Sequence, residues 1–318
     1  MTGKFRSIQL IRAAAAVGVL LCHTAGWSLG AAGVDLFFVI SGFIIGTVMP
    51  GRDARAFLTD RLRRIYPIYF IALLPWALVG ALFAVIPADR LAASLTLWPI
   101  WGGRFVIPFN PPAWTLCFEM LFYAGATLSL ALGRKWVPFA IAGVAAIAFQ
   151  LMPGPLFGFI GNPMILEFCA GLALTRLPRR AGLAGAAIPI GLLIFALSPA
   201  LMLADGALAI DASRSALRLL WWGAPSFLLA YAALTFEKKF AAKAWDGAVL
   251  VGDASYSIYL IHVLPALILQ FWWPVESMLI LALGVALHLA VEKPLLHRLK
   301  RPAPPITRPG SPATVRAT

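Results

Sequence analysis

Apolar residues in this chain come in long runs separated by short polar stretches, and run length sets the predicted architecture. A helix that crosses a bilayer needs about 20 mostly apolar residues. Runs of that kind predict ten helices, at 8–27, 33–49, 65–86, 113–133, 136–152, 157–175, 184–203, 217–236, 247–270 and 276–293. Pro163, Pro189 and Pro265 fall inside runs, which membrane helices tolerate because neighbouring groups satisfy the freed backbone. The longest connections are 87–112, 50–64 and 204–216. From about residue 299 the pattern gives way to a Pro-rich stretch without apolar periodicity. The chain therefore divides into a transmembrane domain, 1–298, and a disordered tail, 299–318.

Charge gives these helices a direction. Cytosolic loops of membrane proteins carry an excess of Lys and Arg. With the N-terminus inside, 21 of the 26 Lys and Arg fall in cytosolic segments, while Arg90, Arg104, Arg214 and Arg218 fall in outer loops. The prediction is an all-α polytopic membrane protein of about ten transmembrane helices with both termini cytosolic. Lys4 and Arg6 ahead of an apolar run look like a signal peptide. The next run follows almost at once, however, so an uncleaved first helix is expected.

Composition supports lipid as the solvent: 61% of residues are hydrophobic, 12% are charged, and mean hydropathy is +0.87. Ordinary globular domains carry roughly 25% charge. The net charge of +13 belongs to cytosolic loops facing lipid headgroups, so nucleic acid is not expected as a partner. Cys22, Cys117 and Cys169 all lie in apolar runs. Their number and spacing give neither a disulfide framework nor a metal site.

Ionisable residues inside spans are costly and mark candidate functional positions. Arg12 lies near the inner end of the first helix, and His23 follows eleven residues later. At about 100° and 1.5 Å per residue, the two share one face and stand about 16 Å apart in height. Asp35, Glu119 and His262 fall at the depth of His23, with Ser41 and Glu167 nearer mid-membrane. A histidine with carboxylates at one depth suits general-base chemistry, the acid orienting the imidazole. On the inner side, Arg61, Arg63 and Arg64 precede Tyr66-Pro67. Such a cluster serves topology, lipid headgroups or a phosphate-rich cytosolic ligand equally well.

Taken together, these residues resemble the acyltransferase-3 family of bacterial membrane acyltransferases, and within it the exopolysaccharide-production (ExoZ-type) branch. Arg12 and His23 are similar to the family's Arg-x10-His signature. GAAGVDLFFVISGFIIG (30–46) resembles its second-helix block, and Arg61 and Arg64 its Arg-x-x-Arg element. Trp114, Glu119 and Tyr123 match a Trp-x4-Glu-x3-Tyr block, while GDASYSIYLIH (252–262) and VEKP (291–294) match two C-terminal blocks. Cys117-Phe118 departs from the pattern, where more polar residues are common.

The resemblance implies a multi-pass protein of the bacterial inner membrane. It would transfer an acyl group, most often acetyl, from cytosolic acyl-CoA (acetyl-CoA) to a saccharide hydroxyl. It also implies that Arg12, Arg61 and Arg64 contact the donor and that His23 is the base, with Glu119 or Asp35 orienting it. Ser41, Trp114, Tyr123, Tyr259 and His262 would support the substrates. No metal is implied. A covalent acyl-cysteine through Cys22 is disfavoured, because adjacent helix positions point about 100° apart. A transporter or flippase for a lipid-linked saccharide is the alternative reading, and a non-catalytic scaffold ranks behind both. The acceptor and the oligomeric state are not encoded in any legible feature.

Overall fold

The computed structural model describes residues 5–83, 87–133, 143, 152, 154–202 and 216–299. The protein is almost entirely helical. Among the described residues, eight helices are long and apolar enough to cross a membrane, or nine if a bent pair of helices is counted as one span. The run at 136–152 and the tail beyond 299 lie outside the described residues.

In chain order the elements are α1 (Arg6–Thr24), α2 (Gly33–Val48), α3 (Ala54–Phe83), α4 (Ala88–Thr96) and α5 (Trp114–Ala131). Then come α6 (Pro155–Ile160), α7 (Ile165–Ala173), α8 (Ala181–Met202) and a π-helical turn, Leu219–Gly223, that leads into α9 (Ala224–Thr235). Finally α10 (Asp246–Ile261) and α11 (Val263–Leu269) form the bent pair, followed by α12 (Trp273–Leu287).

Polarity is arranged for lipid. Leu183, Ile190, Leu192, Leu193 and Leu197 of α8 and Met278 and Leu283 of α12 are exposed. Asp35, Glu167, Ser255 and His262 are buried. Where lipid is as apolar as the core, close backbone contact between helices supplies much of the cohesion. α2 and α7 cross through two glycines: a Cβ at Gly42 would stand 2.0 Å from the Phe168 carbonyl oxygen, and one at Gly171 would stand 1.9 Å from that of Val39. Gly252 brings α10 equally close to Gln9 of α1.

Four features differ from the sequence expectation. α3 begins at Ala54 rather than 65, so Arg61 and Arg64 sit on a helix and not in a loop. Its 30 residues span about 45 Å at 1.5 Å each. That exceeds a hydrocarbon thickness of about 30 Å, which leaves the charged first turns outside it. The 87–112 connection holds α4 and a hairpin, Ile100–Trp101 with Arg104–Phe105. Gly102 and Gly103 take the positive φ its turn requires. This connection folds back along α3, where Tyr66 and Tyr69 donate to the carbonyls of Thr96 and Ser94. At its surface the Arg104 hydrogen bond holds the Asp89 carboxyl below the usual carboxylate range. The 157–175 run is interrupted between α6 and α7. The 247–270 run bends by 63° between α10 and α11, and His262 is the residue at the bend.

Candidate active site

Arg12 of α1, Arg61 and Arg64 of α3, and Glu119 and Tyr123 of α5 line one cavity, with Ser41 of α2 and Ser255 of α10 beside them. Its empty volume is about 760 Å³. Arg12 donates from Nε to Ser255 Oγ at 3.1 Å. Tyr123 donates to Glu119 Oε1 at 2.5 Å, using up one carboxylate oxygen. Arg61 lies over the Phe57 ring, and its Nε is enclosed without a partner among the described residues. A buried donor without an acceptor costs about 1–3 kcal/mol. Three arginines against one carboxylate fit the phosphates of a nucleotide-containing donor.

A second cavity, of about 1020 Å³ empty volume, is lined by His23 and Cys22 of α1, Trp114 of α5, Arg218 and His262. Val34 and Tyr259 line both cavities and so stand between them. Tyr259 is held there by hydrogen bonds to Thr115 Oγ1 at 3.0 Å and the Pro112 carbonyl at 3.2 Å. The Arg12–His23 face of α1 thus runs from the first cavity to the second.

The two histidines form a pair whose protonation follows from their partners. His262 Nδ1 lies 2.6 Å from the Tyr259 carbonyl oxygen, and His23 Nδ1 lies 3.0 Å from that of Val19. A carbonyl oxygen only accepts, so both Nδ1 atoms carry hydrogen. His262 Nε2 is then a lone pair, and it stands 3.3 Å from His23 Nδ1, whose hydrogen it shares with Val19. The rings meet edge to face at 4.7 Å. His23 Nε2 makes none of these bonds and belongs to an exposed side chain in the second cavity; in the neutral tautomer with hydrogen on Nδ1 it is a lone pair. That tautomer can accept a proton from a hydroxyl brought into the cavity.

Neither carboxylate expected beside His23 shares a hydrogen bond or a cavity with it. Glu119 stands with the arginines of the first cavity. Asp35 is fully buried and paired with Arg218: Arg218 Nε reaches Oδ1 and Oδ2 at 3.0 and 3.1 Å, and Nη2 reaches Oδ2 at 2.8 Å. Arg218 also donates to the Ala31 carbonyl at 3.1 Å and stacks over Trp222 at 4.8 Å. It is a buried residue of the bundle and not part of an outer loop.

The sequence profile described as an acyltransferase domain (Acyl_transf_3) matches residues 5–291, nearly the whole described chain. The chain belongs to this family. The acyltransferase is 32% identical over 308 residues to the exopolysaccharide production protein ExoZ of Rhizobium meliloti (strain 1021), covering 86% of this chain and 91% of that one. It is 30% identical over 144 residues to the acyltransferase MdmB of Streptomyces mycarofaciens, covering 41% and 36% respectively. No solved structure matches it.

Within this acyltransferase the structure groups Arg12, Arg61, Arg64, Ser41, Glu119 and Tyr123 around one cavity and His23, His262 and Trp114 around the other, with Tyr259 between. Cys22 lines the same cavity as His23, which the 100° separation of adjacent positions did not suggest. Arg218 is the site residue that sequence reasoning missed. The available signal was a lone arginine in the apolar run ALRLLWWGAP, matched by a lone acid, Asp35, in another.

Proposed function

We propose that this enzyme moves an acyl group, acetyl in the simplest case, from cytosolic acyl-CoA to a hydroxyl of an exported or cell-surface saccharide. The observation that carries the reading is the pair of cavities meeting at Val34 and Tyr259, one lined by arginines and the other by a histidine with a free lone pair. Donor phosphates rest on Arg12, Arg61 and Arg64 at the cytosolic side, and the pantetheine arm passes Tyr259 to bring the thioester to His23. Both termini then lie in the cytosol of a bacterial inner membrane.

In the reaction the acceptor hydroxyl gives its proton to His23 Nε2 as its oxygen attacks the thioester carbonyl carbon. The carbon–sulfur bond then breaks, and the coenzyme A thiolate takes the proton from His23. General-base help of this kind contributes about 10²–10⁴-fold. His262 takes the role expected of a carboxylate: its Nε2 accepts from His23 Nδ1 and steadies the imidazolium as it forms. The name of the relative ExoZ favours a saccharide acceptor.

The test is transfer of label from [¹⁴C]acetyl-CoA to surface polysaccharide in membrane vesicles, comparing wild type with His23→Ala at equal protein level. Loss of new ester in the variant is the expected result. Full ester formation without His23 would remove it as the base. Saccharide crossing the membrane with no new ester would favour the flippase reading.

A further inference from the structure

Arg218 has more hydrogen-bonding capacity than its ion pair uses. Asp35 and the Ala31 carbonyl engage Nε and Nη2. Nη1 makes no hydrogen bond among the described residues, and the side chain is almost wholly buried. The side chain lines the cavity that holds His23. Four hydrogen bonds and the Trp222 ring hold the guanidinium in place, so little reorganisation is needed for it to receive a ligand.

The charge balance restricts what that ligand is. Asp35 cancels the arginine charge at contact distance and the buried Glu167 carboxyl stands against both, so the cluster presents a directed N–H donor without a net positive field. A resident anion gains little from such a site. An oxygen that becomes negative only during reaction gains most, because a fixed donor in a water-poor cavity acts on the developing charge.

We propose that Arg218 is a catalytic residue, its Nη1 donating to the thioester carbonyl oxygen opposite the base, with Asp35 as its positioning residue. This rests on the acyl-CoA reading above. As the acceptor oxygen bonds to the carbonyl carbon, the π pair moves to the carbonyl oxygen, and Nη1 holds that oxyanion. The pair returns to carbon as the carbon–sulfur bond breaks, and the thiolate leaves with the proton from His23.

The decisive experiment is a structure of the wild-type protein in lipid nanodiscs with S-acetonyl-coenzyme A, which keeps the carbonyl but cannot transfer it. The expected result is a carbonyl oxygen about 2.7–3.2 Å from Arg218 Nη1. A bound analogue whose carbonyl points away from Arg218 overturns this inference and leaves the donor reading standing. Failure of the analogue and of coenzyme A to bind at all overturns both. In parallel, Asp35→Asn with Arg218→Gln removes the two charges together, so neither is left buried and unpaired. The expected result is kcat lower by about 10²–10³ with coenzyme A affinity within about threefold of wild type. A folded double variant with wild-type kcat overturns the proposal. Should the double variant not accumulate, the analogue structure decides alone.

Discussion

Replacing His262 by Phe tests the histidine pair directly, because it removes one acceptor and keeps a ring of similar size at the bend. In the resting protein His262 Nε2 shares the His23 Nδ1 hydrogen with the Val19 carbonyl, so the variant keeps the His23 tautomer through Val19. What it loses is the added strength of that bond when His23 becomes a cation. Neutral hydrogen bonds are worth about 0.5–1.5 kcal/mol net, and those to charged groups about 1.5–3. The difference, about 1–2 kcal/mol, corresponds to a rate loss of roughly 5–30-fold at 1.36 kcal/mol per factor of ten. Label transfer from [¹⁴C]acetyl-CoA in vesicles, normalised to protein level, measures it. His262→Gln offers a carbonyl acceptor at the same place and is expected to recover part of the loss. A His262→Phe enzyme at the wild-type rate would refute the pairing argument. A loss as deep as that of His23→Ala would mean that His262 itself takes the proton.

Other expectations follow from the same geometry. Arg61→Ala and Arg64→Ala are expected to raise KM for acyl-CoA about tenfold or more with a smaller effect on kcat, as measured by saturation kinetics; a selective fall in kcat would place these residues elsewhere in the reaction. Gly171→Val puts a side chain where only 1.9 Å separates a Cβ from the Val39 carbonyl oxygen, so the folded fraction by size-exclusion chromatography in detergent should collapse. Wild-type elution would show that α2 and α7 can separate. Cys22→Ser is expected to stay within about threefold of wild-type activity, because His23 hydrogen-bonds Val19 and His262 and not Cys22. A hundredfold loss, with acyl label trapped on the wild-type cysteine, would establish an acyl-enzyme.

How much of this was legible in the sequence depends on whether a feature runs along a helix or between helices. The spans and the shared face of Arg12 and His23 run along helices, and run length and a 100° step describe them well. Height was a poorer guide: Glu119, expected at the depth of His23, lines the cavity of Arg12 instead. Azimuth was not legible. Asp35, Glu119 and His262 fell in one layer with His23, yet Asp35 turns to Arg218, Glu119 to Tyr123, and only His262 meets His23. The bend of 63° at His262 and the return of 87–112 along α3 are tertiary as well. No local pattern of apolar residues encodes them.

The distribution of charge between the two cavities gives the proposed reaction a direction. The first is lined by Arg12, Arg61 and Arg64 with Glu119, and Glu292 and Asp253 stand close enough to act on Arg12 as well. In the second, Arg218 is cancelled by Asp35, with Glu167 beside both, and His262 Nε2 faces His23 Nδ1 at 3.3 Å. In the proposed reaction the phosphates of the donor would rest against the arginines of the first cavity, and its uncharged thioester end would meet no repelling field in the second. Had Asp35 stood beside His23, its charge would have favoured a resident imidazolium, which has no lone pair to offer a hydroxyl. An imidazole in that position orients His23 through its Nδ1 hydrogen without placing a carboxylate beside it.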